Sequence, residues 1–583
     1  MLFFTFQISD SKHKYCNLSF KKVSSKMYDY QCNIKLKVEK ETFRAHKDVL
    51  IEASDYFSAM FGHNMKEKDQ DVIELMGISP RGFTIMMDYF YYGHVSIDSS
   101  CINDILEAAR FFHIEWLIHV CCDFLVRHLC LENYDVVMEL ADKYCLGDLR
   151  SDIFEFVSFN MKTLAEKPQF VNLSHDLLYK LLSDDHFIDA PETFIFKSVM
   201  KWLNCDSERK EEHEVPLLKL LRLPLVDLQE LNTVSEETQN HPDLKELFRE
   251  AIEYQSNPSK QCLMNTPRSE VRGSNEALVL FCALDDAHLI QYKIPGVEGY
   301  FSEAIDTSFM DSHFEFAAAA VIGNFLYVAG GYNRRKMVSS PVLYSYNPRD
   351  RSWCMLSSML RPRVSFPLCP SDEGLYAVAG IEHIVENNID REIILRHTEF
   401  YDPVENMWRV LPEMPLGCFG AAASFHDGKL WVSGGISDDV EDTVPVSYLN
   451  SYQPGDEDWI SRAPMINARQ GHAMQALDNK LYVFGGFTAG LNLMSFEDSF
   501  TTEVYDLETN QWSQLSDTPS DQGHLYNSTT SIGDQIVILG GKCQSSYLLI
   551  HNTEDNTTEE PEFCGEYVNK VATMNIALPP SMM

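Results

Sequence analysis

Three things are scarce in this chain: basic residues, long apolar runs and cysteines that could pair. Its 583 residues hold 48 Lys and Arg against 86 Asp and Glu, a formal net charge of −38. Nucleic acids and anionic membranes are polyanions, so this balance excludes a broad surface for either and leaves room only for a local basic patch. No run approaches the ~20 consecutive apolar residues that span a bilayer. The start, MLFFTFQISD, has no basic n-region and meets Asp10 too soon for a signal peptide. The fifteen cysteines form no C-x-x-C pair, and an odd number cannot all pair internally. They read as reduced thiols of a cytoplasmic or nuclear protein, with the adjacent Cys121 and Cys122 as helical core. P-loop, H-E-x-x-H, G-x-S-x-G and zinc-ligand spacings are also missing. What is present is enough apolar sequence, 45% of residues, to fold throughout, and a length that calls for about two to four domains.

The second half repeats. Tyr346, Tyr401, Tyr452 and Tyr505 each precede a tryptophan by seven residues, at Trp353, Trp408, Trp459 and Trp512. Upstream of each lies an apolar run ending in a small pair, LYVAGG, LYAVAG, LWVSGG and LYVFGG, and a fifth, IVILGG, follows. The first small residues, Gly330, Ala379, Gly434, Gly485 and Gly540, are 49, 55, 51 and 55 apart. Each run predicts a buried strand, the glycines a close backbone approach, and the Tyr and Trp large apolar area between units. A period near 50 with this content resembles the kelch repeat. ALVLFCALDD at 277–286 and YLLIHNTEDNT at 547–557 are atypical terminal units. They bring the count to six four-stranded blades, with VATMNIALP as the strand that closes the ring.

Residues 27–260 carry a helical period instead. DVLIEASDYFSAMF sets Val49, Leu50, Ala53, Phe57, Met60 and Phe61 on one face, and WLIHVCCDFLVRHL does the same with Leu117, Val120, Cys121, Phe124 and Leu125. Ile34, Leu36 and Val38 alternate in an edge-like strand that turns into a hairpin. The segments FRAHKDVL (43–50) and FYYGHV (90–95) resemble a BTB domain. ELADKYCLGDL, FKSVMKWL (196–203) and LRLPLV (221–226) resemble a BACK domain. The chain is thus similar to the kelch-like family. The expected architecture is an N-terminal extension (1–26), an α/β BTB domain (27–129), an all-α BACK domain (130–256), a polar linker (257–275) and an all-β six-bladed propeller (276–583). Asn33 stands where the family usually has Asp.

That family consists mostly of substrate adaptors of cullin-3 ubiquitin ligases. The resemblance implies a non-catalytic protein without cofactor or metal, a homodimer through its BTB domain, with cullin-3 and a protein substrate as partners. Adaptors that bind cullin-3 carry an apolar residue, any residue, then Glu after the third BTB helix. Met65-Lys66-Glu67 fits; the plainer alternative folds Met65 back onto its own helix. Kelch-like propellers bind partners through loops after the small pair and before the strand leading into it. After the pairs come Tyr332, Arg334, Arg335, His383 and Phe487. Sixteen residues before the small residues stand Arg363, Cys418, Arg469 and His524, with Phe419 beside Cys418 and Ser365 and Tyr526 two places further on. From residue 276 on, 17 basic face 42 acidic residues, a net of −25. A patch of Arg334, Arg335, Arg363 and Arg469 would stand out there and suit an acidic peptide degron. Equally, Arg363 and Arg469 are placed where kelch repeats use Arg for inter-blade hydrogen bonds. Two other classes stay open: an actin-associated or clustering scaffold without cullin, and a copper oxidase of the kind some kelch propellers form. For the oxidase no ordered His and Tyr ligand set is found, and His46 reads as packing.

Overall fold

The computed structural model describes residues 6–9, 32–62, 65–92, 94–183, 190–237, 241–283, 288–293, 301–305, 317–333, 336–386, 389–437, 444–490, 496–515, 517, 525–542, 545–566 and 568–577. They fall into two compact units, Met1–Ala190 and Pro191–Met583.

In the first unit the alternating Ile34, Leu36 and Val38 are buried while the intervening lysines face out. Their strand, Ile34–Val38, is not at an edge. It is central, antiparallel to Glu41–Ala45 and parallel to Val72–Leu75. The single apolar stripe of residues 49–61 folds as two helices, Lys47–Ala53 and Asp55–Met60. Ser54 divides them. Its backbone is extended, its N–H donates to the Leu50 carbonyl, and its own carbonyl accepts from Ser58 N at 2.9 Å. Serine before aspartate starts a helix more readily than it continues one. The inner faces still converge: Leu50 and Phe57 are fully buried, and Phe57 lies 5.2–6.0 Å, ring to ring, from Phe112, Phe61 and Phe90. Helices Pro80–Tyr92, Ile102–Phe111 and Glu115–Arg127 complete this layer, the last burying Leu117, Cys121 and Leu125. Four more follow between Tyr134 and Ser183. A short strand, Phe6–Ser9, pairs antiparallel with His94–Ile97. Of the N-terminal extension expected at 1–26, the rest lies outside the described residues.

The second unit opens with helices Glu192–Leu203, Ser207–Leu220, Leu228–Glu237 and Pro242–Ser256. The polar stretch 257–275, read as a linker, is folded: it makes two 3-10 turns, Pro258–Leu263 and Pro267–Ser269, and buries Gln261, Cys262, Ser269 and Arg272. Its polarity is used internally. Arg272 pairs with buried Glu192 at 3.0 Å and donates to the Leu220 carbonyl, while the same carboxylate accepts the Arg222 N–H at 2.8 Å. Arg349, on the first blade, lies over the Phe325 ring at 4.8 Å and donates to Asn265. At Gly323 (φ 51°) an added Cβ would sit 1.8 Å from the Cys262 carbonyl oxygen. The 3-10 segment is therefore seated directly on a blade turn.

Six sheets make the propeller. Blades 1 to 4 each run from an inner to an outer strand: Ala318–Ile322 to Ser352–Leu356, Leu368–Pro370 to Met407–Leu411, Ala422–His426 to Ile460–Ser461, and Ala473–Leu477 to Gln511–Gln514. Blade 5 holds Leu525–Ile532, Gln535–Lys542 and Ser545–Asn552, with its outer edge split between Thr557–Thr558 and Glu562–Glu566. Blade 6 joins the chain ends: Val568–Ala577 pairs antiparallel with Ser274–Ala283, which leads to His288–Lys293 and Phe301–Ile305. The seven-residue Tyr–Trp spacing is a hairpin register. Tyr346, Tyr401 and Tyr505 face Trp353, Trp408 and Trp512 directly, and all four ring pairs are 5.1–5.3 Å apart. Three of the indoles then reach the preceding blade, donating to Ser357 O, Pro412 O and Ala463 O at 2.8–2.9 Å.

The sixteen-residue spacing has an equally direct cause. The second small residue of one blade donates its N–H to the carbonyl that begins the approach to the next: Gly331 to Arg363, Gly380 to Cys418, Gly435 to Arg469, at 2.8–3.1 Å. At Gly330 (φ 71°) a Cβ would come within 2.5 Å of that same Arg363 carbonyl and 2.7 Å of the Phe366 ring, so a side chain has no room. Blade 2 manages with Ala379 at φ 55°. The residue three places beyond Cys418 is Ala421, where Phe366 and His472 stand in the neighbouring repeats.

Arg363 and Arg469 correct one expectation. Both are 0% exposed and so do not lie on the rim. Arg363 donates to Ala379 O at 3.0 Å and His397 O at 3.1 Å and pairs with Glu399; Arg469 donates to Gly485 O and Thr501 O at 2.9 Å and pairs with Glu503. The carboxylates are occupied on their other side. Glu399 accepts from the Leu360 and Arg361 N–H groups, and Glu503 from those of Ile466 and Asn467. Spacing placed these arginines correctly, but their charge is neutralised inside the ring.

Removing one partner of such a pair leaves an uncompensated buried charge, so Arg469→Ala should destabilise the propeller by about 3–5 kcal/mol. The double variant with Glu503→Gln should recover part of the loss. Denaturant unfolding followed by tryptophan fluorescence measures both, and a single variant as stable as wild type would refute the buried pairing.

His472 gives the propeller a pH dependence. It is fully buried with Ser433 Oγ 2.8 Å from its Nε2. Burial, then the Arg469 charge, push its pKa down to about 3. The unfolded chain, titrating near the ordinary value of about 6.5, binds the proton more readily. Stability from this group is therefore complete above pH 6.5 and lost as pH falls toward 3, by about 2 kcal/mol at pH 5. Burial also lowers the His551 pKa, with the same sign. The difference in melting temperature between wild type and His472→Phe, the residue type of position 366, should shrink or reverse between pH 7 and pH 5. A constant difference would count against it.

Candidate functional site

The loop after Asp55–Met60 is built from a few fixed points. Lys47 anchors it: its backbone N–H donates to Asn33 Oδ1 at 2.8 Å, and its ammonium donates to Gln70 O at 3.3 Å and lies 5.4 Å from the Phe61 ring centre. Asn33 thus caps the helix Lys47–Ala53, which has no cap from His46. His46 is itself held by Tyr91, whose hydroxyl meets its backbone N–H at 2.9 Å and its Nδ1 at 3.0 Å. Burial pushes the Tyr91 phenol up to about 12, so it stays a neutral hydroxyl. Between these anchors Lys66–Asp69 makes a 3-10 turn with Met65 extended in front of it.

Met65 is half exposed, at 50%, and does not fold into the core. Glu67 is partly buried, and its negative charge adds to burial in raising the Tyr56 phenol pKa, which puts the carboxylate beside the helix that carries Tyr56. A flexible, polarisable thioether held out by a short rigid turn can fill an apolar groove on another protein with small steric demand.

On the propeller, the segments after the small pairs form two-stranded hairpins in blades 1 to 4. They begin at Tyr332, Ile381, Ile436 and Phe487. The last three starts are each bridged, within their own blade, by the segment that leads into it, and those segments are joined from blade to blade. Val364 bridges Ile381, Phe419 bridges Ile436, and Gln470 bridges Phe487. The Ser365 carbonyl accepts from Gly420 N at 2.9 Å, and the Gly420 carbonyl from Gly471 N at 2.8 Å. Ser365 takes φ 52° to do so. Tyr332 and His383 meet edge to face at 5.1 Å, and His383 lies 3.5 Å from Glu392. Five of the expected residues, Tyr332, Ser365, His383, Phe419 and Phe487, therefore share one end of the blades, each partly exposed. Arg334, Arg335 and His524 lie outside the described residues, and of Tyr526 only the backbone, in Leu525–Ile532, is described. With Arg363 and Arg469 inside, the expected basic patch keeps no described arginine of its four. Nearby carboxylates are instead prominent: Glu382 pairs with Arg361 at 3.5 Å, and Glu392 and Glu497 are exposed. The Ser365–Gly420–Gly471 chain was not foreseen. Its signal was present, since the three stand at one register position of the repeat. Among the described residues no three His, Cys, Asp or Glu side chains converge as metal ligands, and no helix is long and apolar enough to cross a membrane.

Comparison with known proteins gives matches in the same chain order. The BTB/POZ domain matches residues 24–129, the BTB And C-terminal Kelch domain 136–236, and the kelch motif 314–360 and 468–519. Kelch-like protein 15 of Homo sapiens is 27% identical over 562 residues, covering 91% of this chain and 90% of its own length. Kelch-like protein 26 of Danio rerio is 27% identical over 569 residues (94% and 90%), and Kelch-like protein 36 of Bos taurus 27% over 537 (88% and 82%). A sheet-and-helix domain, a helical domain and a closed ring of six sheets, matched in that order and aligned along most of the chain, have one reading: the chain belongs to the kelch-like family of BTB–BACK–kelch proteins.

Proposed function

We propose that the protein is a non-catalytic substrate adaptor of a cullin-3 ubiquitin ligase, acting in the cytoplasm or nucleus. The BTB domain binds cullin-3 through Met65 and Glu67 and pairs two copies, and the hairpin face of the propeller holds a protein substrate. Transfer of ubiquitin belongs to other subunits; this chain raises the substrate's local concentration, and two propellers per dimer raise it further through avidity.

The observation that carries this reading is the exposed Met65 on a turn fixed by Lys47, with Glu67 two residues on. An apolar side chain left in water where its neighbours are charged has little to gain within its own domain; burying it against a partner contributes about 1.5–3 kcal/mol. The substrate face is supported by the linked hairpin starts, with Tyr332, His383, Phe419 and Phe487 as contact side chains. Aromatic residues of this kind supply most of the energy at protein interfaces. An acidic degron would have to be met by Arg334 and Arg335, because Arg363 and Arg469 are committed to Glu399 and Glu503.

Capture of cullin-3 by the full-length chain tests the assignment. Wild type should retain cullin-3, and the Met65→Ala, Glu67→Ala double variant should retain about tenfold less or none. If wild type captures no cullin-3, the adaptor reading fails and a cullin-free scaffold takes its place. If the variant captures as much as wild type, the adaptor reading stands but this loop is not the contact.

A further inference from the structure

Opposite the hairpins, at the other end of the blades, the turns of blades 1 to 3 and the 3-10 segment at Cys262–Leu263 enclose a groove of about 1050 Å³. We infer that it is a second docking site, independent of the adaptor reading, for an extended basic segment of a partner protein. The inference rests on the chemistry and shape of the walls.

One wall is aromatic and fixed. Phe400 and Phe425 line the groove, and behind them Tyr376 stacks on Phe425 at 5.5 Å with an interplanar angle of 11° and contacts Phe400 at 4.8 Å. Val404, largely exposed, extends this surface. Facing it are carboxylates from three different turns. Asp402 is already used: Arg409 pairs with it at 2.7 Å, and the Val404 and Glu405 N–H groups donate to its other oxygen. Asp372, Glu373 and Asp427 are exposed, and their carboxylates have no ion-pair partner among the described residues. Arg409, the lining cation, is thus already neutralised, and the groove holds a surplus of three negative charges beside planar apolar rings.

That combination selects its occupant. A guanidinium or ammonium group gains from carboxylates and from an aromatic face together, and its alkyl stem covers apolar surface. Nucleic acid and anionic lipid are repelled. The volume exceeds the usual range for small-molecule pockets, about 300–1,000 Å³, and the open shape suits a stretch of extended chain, with Lys or Arg toward Asp372, Glu373 and Asp427 and an apolar residue against Phe400 and Phe425.

The experiment uses the full-length chain and a fluorescein-labelled Gly-Lys-Lys-Phe-Lys-Lys-Gly peptide, with a counterpart carrying Glu in place of each Lys. Fluorescence anisotropy should show binding of the basic peptide and not of the acidic one. The exposed substitutions Asp372→Lys, Glu373→Lys and Asp427→Lys, combined, should weaken binding about tenfold or more, whereas Glu392→Lys with Glu497→Lys on the hairpin face should leave it unchanged. Carbodiimide cross-linking of the wild-type complex should join the peptide to Asp372, Glu373 or Asp427. Absence of binding, equal binding by the triple variant, or cross-links confined to other carboxylates would each overturn the proposal. None of these outcomes depends on capture of cullin-3.

Discussion

The propeller depends on one repeated hydrogen bond: the N–H of a blade's second small residue, Gly331, Gly380 or Gly435, on the carbonyl sixteen residues ahead of the next blade's small residue. To make that bond the two backbones must pass almost in contact, and at Gly330 a single carbon atom is already too much. Most of the repeat's other features follow. The small pair must be small, the approach segment must have fixed length, and the strands on either side must be buried because blades this close exclude water. The Tyr–Trp hairpins then tie the outer strands to the preceding blade through their indole N–H groups. Inner and outer edges are thereby joined to the same neighbour.

The arginines belong to this constraint. A blade that brings so many carbonyls together has an excess of acceptors, and a guanidinium, with five donors in a plane, satisfies several at once. Arg363 and Arg469 do this and draw Glu399 and Glu503 in to balance the charge. At Cys418 no such arm exists, and the blade is sealed by apolar packing of Ala379, Ala421 and Cys418. The ring therefore tolerates two local solutions, ionic and apolar, provided the backbone bond is kept. Two basic side chains of the propeller, Arg363 and Arg469, thus add no positive charge to its acidic surface.

Much of this was legible in the amino-acid sequence because it is periodic. The blade count, the closing strand and the Tyr–Trp register follow from fixed intervals, and intervals survive without knowledge of depth. Depth itself was not legible. Arg363 occupies the same register whether its side chain points in or out, since the backbone carbonyl and the guanidinium are both used at that position. Polarity misled in the same way at 257–275, where Gln261 donates to the Tyr254 carbonyl, Ser269 to those of Met264 and Thr266, and Arg272 to Glu192, instead of to water. At Ser54 the apolar stripe was correctly placed but its continuity was not, because a serine can close one helix and open the next without moving the stripe. The groove walled by Phe400, Phe425 and Asp427 was invisible for a different reason: its turns come from separate hairpins that meet only when neighbouring blades pack.

The same constraint decides where the molecule is free to recognise partners. The first residues of the hairpins are bound by backbone bridges, Val364 to Ile381, Phe419 to Ile436 and Gln470 to Phe487, so their positions are fixed whatever side chains they carry. Side chains on these hairpins, such as Tyr332 and His383, contact each other, and His383 also Glu392, without taking part in the backbone bridges. Substitution there changes chemistry at constant geometry. Met65 is the counterpart in the first unit: Lys47 and Asn33 hold the turn, and the thioether itself contributes nothing to that hold. In both units the side chains proposed as contacts are ones that the scaffold leaves at least partly exposed. A survey of variants should accordingly find tolerance at Tyr332, His383 and Met65 when folding is measured, and intolerance at Gly330, Arg363 and Glu399.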